Sequence, residues 1–90
     1  MKNYTDTIMG KIVASERMNN SRNGNPRYLV AIQECGDSGI GYFYGKIVLA
    51  YTMPDSSIGY EVDNPEYRET EHVYRLRMYR GKLSIQGIEA

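Results

Sequence analysis

Ninety residues make one domain with a thin core, since a chain of this size buries only about 60–65% of the surface it exposes when unfolded. Eleven basic and eleven acidic residues cancel at neutral pH, so the chain lacks the basic excess by which a dedicated nucleic-acid coat neutralises phosphates. Cys35 is the single cysteine and His72 the single histidine; that excludes an intrachain disulfide and any zinc site built on three or four thiolates.

The expected setting is reducing and cytoplasmic. Residues Met1 to Asp6 lack an apolar signal core, and no apolar run approaches the ~20 residues of a membrane-spanning helix, so no membrane partner is expected. Nine tyrosines stand against one phenylalanine and no tryptophan. Tyrosine joins an apolar ring to a polar tip, which suits half-buried strands and recognition surfaces alike.

In chain order, Thr7 to Met18 reads as a first strand. Gly10, Ile12 and Ala14 share one face, with Lys11, Val13, Ser15 and Arg17 on the other, and Gly10 marks a bend or bulge. Asn19 to Pro26 is a polar turn rich in residues that tolerate left-handed backbone or bond their own chain. Arg27 to Glu34 is a second strand, with Tyr28, Val30 and Ile32 on one face and Leu29 and Ala31 on the other. The apolar character of both faces predicts a central strand.

A glycine-rich turn, Gly36 to Gly41, leads to a third strand, Tyr42 to Thr52. Strict alternation puts Tyr42 and Tyr44 on the face of Val48, and Phe43 with Ile47, Leu49 and Tyr51 on the other. Gly45 is a site for curvature. Pro54 to Thr70 breaks the pattern and predicts one or two helical turns at most, ending by Asn64-Pro65. His72 to Tyr79 and Lys82 to Ile88 form a closing hairpin around Arg80-Gly81, with Leu83 and Ile85 inward.

The expected fold is an all-β single domain over residues 1–90. It is a small five-stranded, partly open barrel, OB-like or SH3-like, with a short helical or irregular connection between strands three and four. Curling removes sheet edges that would otherwise invite aggregation.

Charge is segregated. Asp55, Glu61, Asp63, Glu66, Glu69 and Glu71 face a single base, Arg68, in the connection, whereas Arg75, Arg77, Arg80 and Lys82 follow without an acid. Such a pattern either neutralises itself in the fold or steers a charged partner.

Catalytic constellations are missing. Cys35 has no adjacent base, and His72 has no companion ligands. The carboxylate pairs Glu61/Asp63 and Glu69/Glu71 sit in a polar connection with nothing to desolvate them. Asn23-Gly24-Asn25 and Gly39-Ile40-Gly41 lack the following helix of a phosphate-binding loop. No cofactor and no metal site is expected, and the protein is read as a non-enzyme.

Tyrosines interleaved with arginines are the strongest functional signal, because OB-type barrels stack bases on aromatic rings in a basic groove and protein hot spots are rich in Tyr and Arg. The candidate binding residues are Arg22, Asn25, Arg27 and Tyr28 at the first turn, then Tyr42 and Tyr44. Asp55, Tyr60 and Tyr67 follow in the connection, with Arg75, Arg77 and Arg80 in the basic hairpin. Most of the tyrosines are expected in the core, which has few other large side chains.

Four stretches carry a family resemblance: Gly10 to Met18, Asn23-Gly24-Asn25-Pro26-Arg27-Tyr28, Thr52 to Tyr60, and Asn64-Pro65-Glu66-Tyr67-Arg68. In these the chain resembles a small family of short β-proteins encoded in bacteriophage genomes. The resemblance implies a phage accessory protein acting in the host cytoplasm, and it brings no activity and no catalytic residue with it. Tyr42 to Thr52 is richer in aromatic and aliphatic residues than that family suggests, which leaves a protein–protein surface open there.

The leading expectation is a non-enzymatic protein that binds and modulates or inhibits a host protein, such as a defence component. The alternative is single-stranded nucleic-acid or nucleotide binding by a Tyr/Arg face. A third possibility is a homo-oligomer paired through exposed strand edges.

Overall fold

The structure, a computed structural model, describes residues 5–20, 22, 24–37, 39–53, 58–62 and 70–89; for residues 5, 6, 37, 60 and 61 it describes the backbone only. Five strands and one short helix follow the expected order: β1 (Thr5–Met18), β2 (Arg27–Asp37), β3 (Tyr42–Thr52), α1 (Ile58–Val62), β4 (His72–Tyr79) and β5 (Lys82–Glu89). The strands form a closed barrel in the order β1-β2-β3-β5-β4, with β4 returning to β1. Every pairing is antiparallel except β3 with β5, which is parallel. The all-β expectation and its five strands therefore stand.

Closure is uneven around the barrel. β1 serves two neighbours, pairing with β4 from Thr5 to Gly10 and with β2 from Gly10 to Met18. Gly10 sits where the strand changes partner, and a Cβ there would lie 2.6 Å from the Gln33 carbonyl oxygen. The expected Gly10 irregularity is thus a close approach of two backbones, not a bulge. The seam between β3 and β5 consists of two pairs, Tyr51 with Ser84 and Thr52 with Ile85.

The core is one cluster drawn from every strand and the helix: Ile12, Tyr28, Val30, Ile32, Ala50, Ile58, Val62, Tyr74, Leu76 and Ile85. Ile58 and Val62, one helical turn apart, fall on the same face of α1. The helix meets β2 and β5. There Gly59 is buried so tightly that a Cβ would collide with the Pro26 carbonyl. At the seam, the Tyr28 amide donates to the buried Thr52 hydroxyl at 3.0 Å, which ties the start of β2 to the end of β3.

Three strands depart from strict alternation: β1, β3 and β5, where Gln86 is the extra residue between the Leu76–Ile85 and Arg75–Gly87 pairs. A register shift in β1 lies between Ile12 and Ala14. Ile12 is buried and Ala14 exposed, so the expectation that they share a face is overturned by the extra residue, Val13. In β3, Ile47 pairs with Gln33 and Tyr44 with Cys35. Gln33 and Cys35 lie two apart on one face of β2, so Tyr42 and Tyr44 join the face of Ile47 and Leu49, not that of Val48. The insertion at Gly45 and Lys46 reverses the alternation.

Two substitutions test this packing by urea denaturation. Gly59→Ala is expected to cost about 2–3 kcal/mol through overpacking against Pro26. Thr52→Val keeps the shape but removes the acceptor for the Tyr28 amide, with an expected loss of about 1–2 kcal/mol. Wild-type midpoints for both variants would refute the helix contact and the seam contact respectively.

Candidate interaction face

The outer face of β1, β2 and β3 follows from the register. Ile12, Ile32 and Val48 align in one row toward the core, as do Val30 and Ala50. Alternation then turns three rows outward: Lys11–Gln33–Ile47, Ala14–Ala31–Leu49, and Glu16–Leu29–Tyr51. Most of the side chains are apolar, and the two small alanines leave a shallow groove lined by Ala14, Ser15, Glu16, Leu29, Ala31 and Leu49.

This face is exposed. Leu49 presents 60% of its surface, Ile47 56% and Tyr44 61%. Of the nine exposed large hydrophobic residues among the described residues, Ile40, Tyr42, Phe43, Tyr44, Ile47 and Leu49 fall between positions 40 and 49. They are concentrated there because the β2–β3 ribbon outruns its neighbours. β1 leaves β2 at Gly10–Glu34, and β5 meets β3 only at Tyr51 and Thr52. The Cα extents of 46 × 34 × 19 Å reflect an elongated, flattened molecule.

Cations dress the aromatic rings of the face. The Lys11 ammonium lies 5.2 Å from the centre of the Tyr44 ring, and the Lys82 ammonium 4.9 Å from that of Tyr51. Such contacts are worth on the order of 0.5–1 kcal/mol where exposed. Tyr42 and Tyr44 meet edge to face, with ring centres 5.1 Å apart. The Tyr42 hydroxyl is held in its protonated form, first by hydrogen bonding to the buried Cys35 thiol, then by partial loss of water, then by the Glu71 carboxylate. Its pKa lies well above the ordinary value of 10.0.

The candidates read from sequence are dispersed. Tyr42 and Tyr44 come together as a pair, on the ribbon. Tyr28 belongs to the core cluster instead of the surface, with the Arg17 guanidinium 5.3 Å from its ring centre. Arg22 is exposed in the first turn, while Asn25 and Arg27 are half-buried. This group lies seven residues along β2 from Cys35 and Tyr44, roughly 23 Å at ~3.3 Å per residue, so it forms no common site with them.

The basic hairpin occupies other strands. Arg75 pairs with Glu89 at 3.6 Å, both half-exposed, and its guanidinium lies over Gly87. Arg77 is half-buried, and Arg80 sits in the β4–β5 turn with a left-handed φ of 51°, its guanidinium near the Tyr79 ring. Asp55 and Tyr67 lie outside the described residues, and for Tyr60 only a backbone position in α1 is described. Most of the acidic connection is likewise outside them, so the proposed charge segregation is represented by Glu71 alone.

Sequence reasoning missed Lys11, Val13, Ala14, Glu16, Leu29, Ala31, Ile47, Leu49 and Lys82 as members of one surface. The aliphatic richness of the third strand was the available signal. Among the described residues no group of three or more His, Cys, Asp or Glu side chains converges on a point. His72 is engaged locally, its Nε2 2.7 Å from the Thr70 hydroxyl. Among the described residues no helix is long and apolar enough to cross a membrane.

No protein-family model matches the chain, and no curated protein sequence matches it. The resemblance to bacteriophage β-proteins gains no support there.

An alkaline titration tests the Tyr42 environment. A folded-state pKa raised above the unfolded value stabilises the fold below that value and is lost as pH rises through the folded pKa. Wild-type stability should therefore decline more steeply than that of Tyr42→Phe once pH passes 10.0. Parallel curves would show that the thiol and carboxylate do not hold the phenol.

Proposed function

We propose that this protein is a non-enzymatic binding module that engages another protein through the β2–β3 ribbon and the adjoining outer face. The observation that carries the reading is the run of exposed side chains from Ile40 to Leu49. Scattered surface hydrophobics need no explanation, but a contiguous apolar patch of several hundred Å2 marks an interaction site. Its composition, with Tyr, Ile and Leu at the centre and charges at the edge, is that of an interface core and rim, and Phe43 extends the exposed apolar surface to the other side of the ribbon.

The strand order, with α1 between β3 and β4, supports an OB-type barrel over an SH3-like one. In OB-type barrels the face of strands two and three is where ligands dock. A cytoplasmic host protein is the partner that the bacteriophage resemblance implies.

Single-stranded nucleic acid or a nucleotide is the second reading, supported by the Lys11–Tyr44 and Lys82–Tyr51 pairs on one face. The aliphatic stretch between those pairs and the balanced charge favour a protein. The two separate by salt: phosphate-driven affinity falls steeply between about 50 and 200 mM, whereas apolar docking does not.

Affinity capture from a bacterial lysate provides the test. Immobilised wild-type protein should retain a specific protein at moderate salt. Ile40→Asp/Phe43→Asp should lose it at least tenfold, while Arg75→Glu, on the β4 face, should keep it. Equal retention by the ribbon variant, or binding of a labelled oligonucleotide that collapses with salt, would overturn the protein-binding reading.

A further inference from the structure

We infer that the groove row Ala14–Ala31–Leu49 is the axis of a symmetric dimer, with the outer face of one copy packed on the same face of a second. The inference rests on the reading of this face as a docking surface and names one occupant of it.

The first argument is charge complementarity of the face with itself. Lys11 and Glu16 are the ionic residues of β1 on the three outward rows, one at each end. Among the described residues neither Glu16, which is exposed, nor Lys11 makes an ion pair, and the Lys11 ammonium sits over the Tyr44 ring. They are separated by roughly 15 Å along the strand, too far to pair within one chain. The row Ala14–Ala31–Leu49 lies midway between the Lys11 row and the Glu16 row, two β2 residues from each.

A two-fold axis lying in the interface along that middle row sets β1 antiparallel over its counterpart. Each Lys11 then faces a Glu16 of the second copy, and each Ile47 faces a Tyr51. This register gives an opposite partner to both charges that have no ion pair among the described residues. An isologous contact of this sort requires self-complementarity, and opposite charges equidistant from the axis provide it.

The second argument is shape and area. On the axis each Leu49 meets its own counterpart, and the shallow groove of Ala14 and Ala31 lies beside that contact. The exposed parts of Met9, Val13, Tyr42, Tyr44, Ile47 and Leu49, with the half-buried side chains between them, amount to on the order of 700 Å2, taking ~150–250 Å2 for a large side chain. Stable complexes bury about 600–1,000 Å2 per partner. Ile40, in the β2–β3 turn, and Phe43, on the other side of the ribbon from Tyr42 and Tyr44, are left for a different protein.

Sedimentation velocity over a concentration series tests the dimer. Wild type should reach twice the 10.3 kDa chain mass. Leu49→Asp, which sets two carboxylates at the axis, should stay monomeric while keeping its circular dichroism spectrum. Lys11→Glu and Glu16→Lys should each weaken association about tenfold. The double variant Lys11→Glu/Glu16→Lys should recover it, because each swapped charge meets its swapped partner. A wild type that stays at the chain mass throughout, or a double variant no better than the single ones, overturns the inference. Monomeric wild type that still captures a protein through Ile40 and Phe43 would sink the dimer alone; a dimer that captures nothing would sink only the wider binding reading.

Discussion

β3 is paired along one side for nearly its whole length and along the other at only two residues, Tyr51 and Thr52. Most of the molecule's surface character follows from that asymmetry. The barrel closes because two parallel pairs, the Thr52 hydroxyl and the plug of Ile58 and Val62 suffice to seal the seam and one end. The rest of β3, with the end of β2, is released as a ribbon that no other strand flanks among the described residues. Among the described residues, the large hydrophobic side chains of this ribbon stay exposed.

Two of the strand irregularities decide what the ribbon presents. The extra residue Val13 in β1 moves Ala14 outward, and the extra residue at Gly45 and Lys46 in β3 brings Tyr42 and Tyr44 onto the face of Ile47 and Leu49. Without the second, the tyrosines and the aliphatic residues would occupy opposite sides of the ribbon. With it, they form one strip whose two ends are each covered by a lysine on a tyrosine ring. Bulges re-aim side chains while keeping strands paired, and here they turn two half-faces into one.

Electrostatics on this face adds little to the stability of the single chain. Exposed charges contribute little to a monomer, and Lys11 and Glu16 do not meet within the chain. Their value lies in orientation, since opposite charges set at equal distances from an apolar row suit a partner presented in the opposite direction. Neutral net charge agrees with a surface that works by local pattern instead of long-range attraction to phosphate.

Composition and alternation were enough to define the elements. The predicted third and fourth strands coincide with β3 and β4, and the break at Pro54 to Thr70 contains one short helix. The core was legible as well, because Val30, Ile32, Tyr74, Leu76 and Ile85 recur at the two-residue period of a buried strand face. The candidate site was legible only as a strand unusually rich in apolar residues.

What the sequence by itself determined, then, is an all-β chain of five strands with one short break between the third and fourth. Tertiary structure decided which side chains share a surface. One inserted residue reverses the facing of everything beyond it, and nothing in the local pattern at Ile12-Val13-Ala14 or Gly45-Lys46 announces that the partner strand will pass it by. It also decided that Tyr28 belongs inside and Tyr44 outside, since both are tyrosines in alternating strands. They differ only in whether the barrel closes over them.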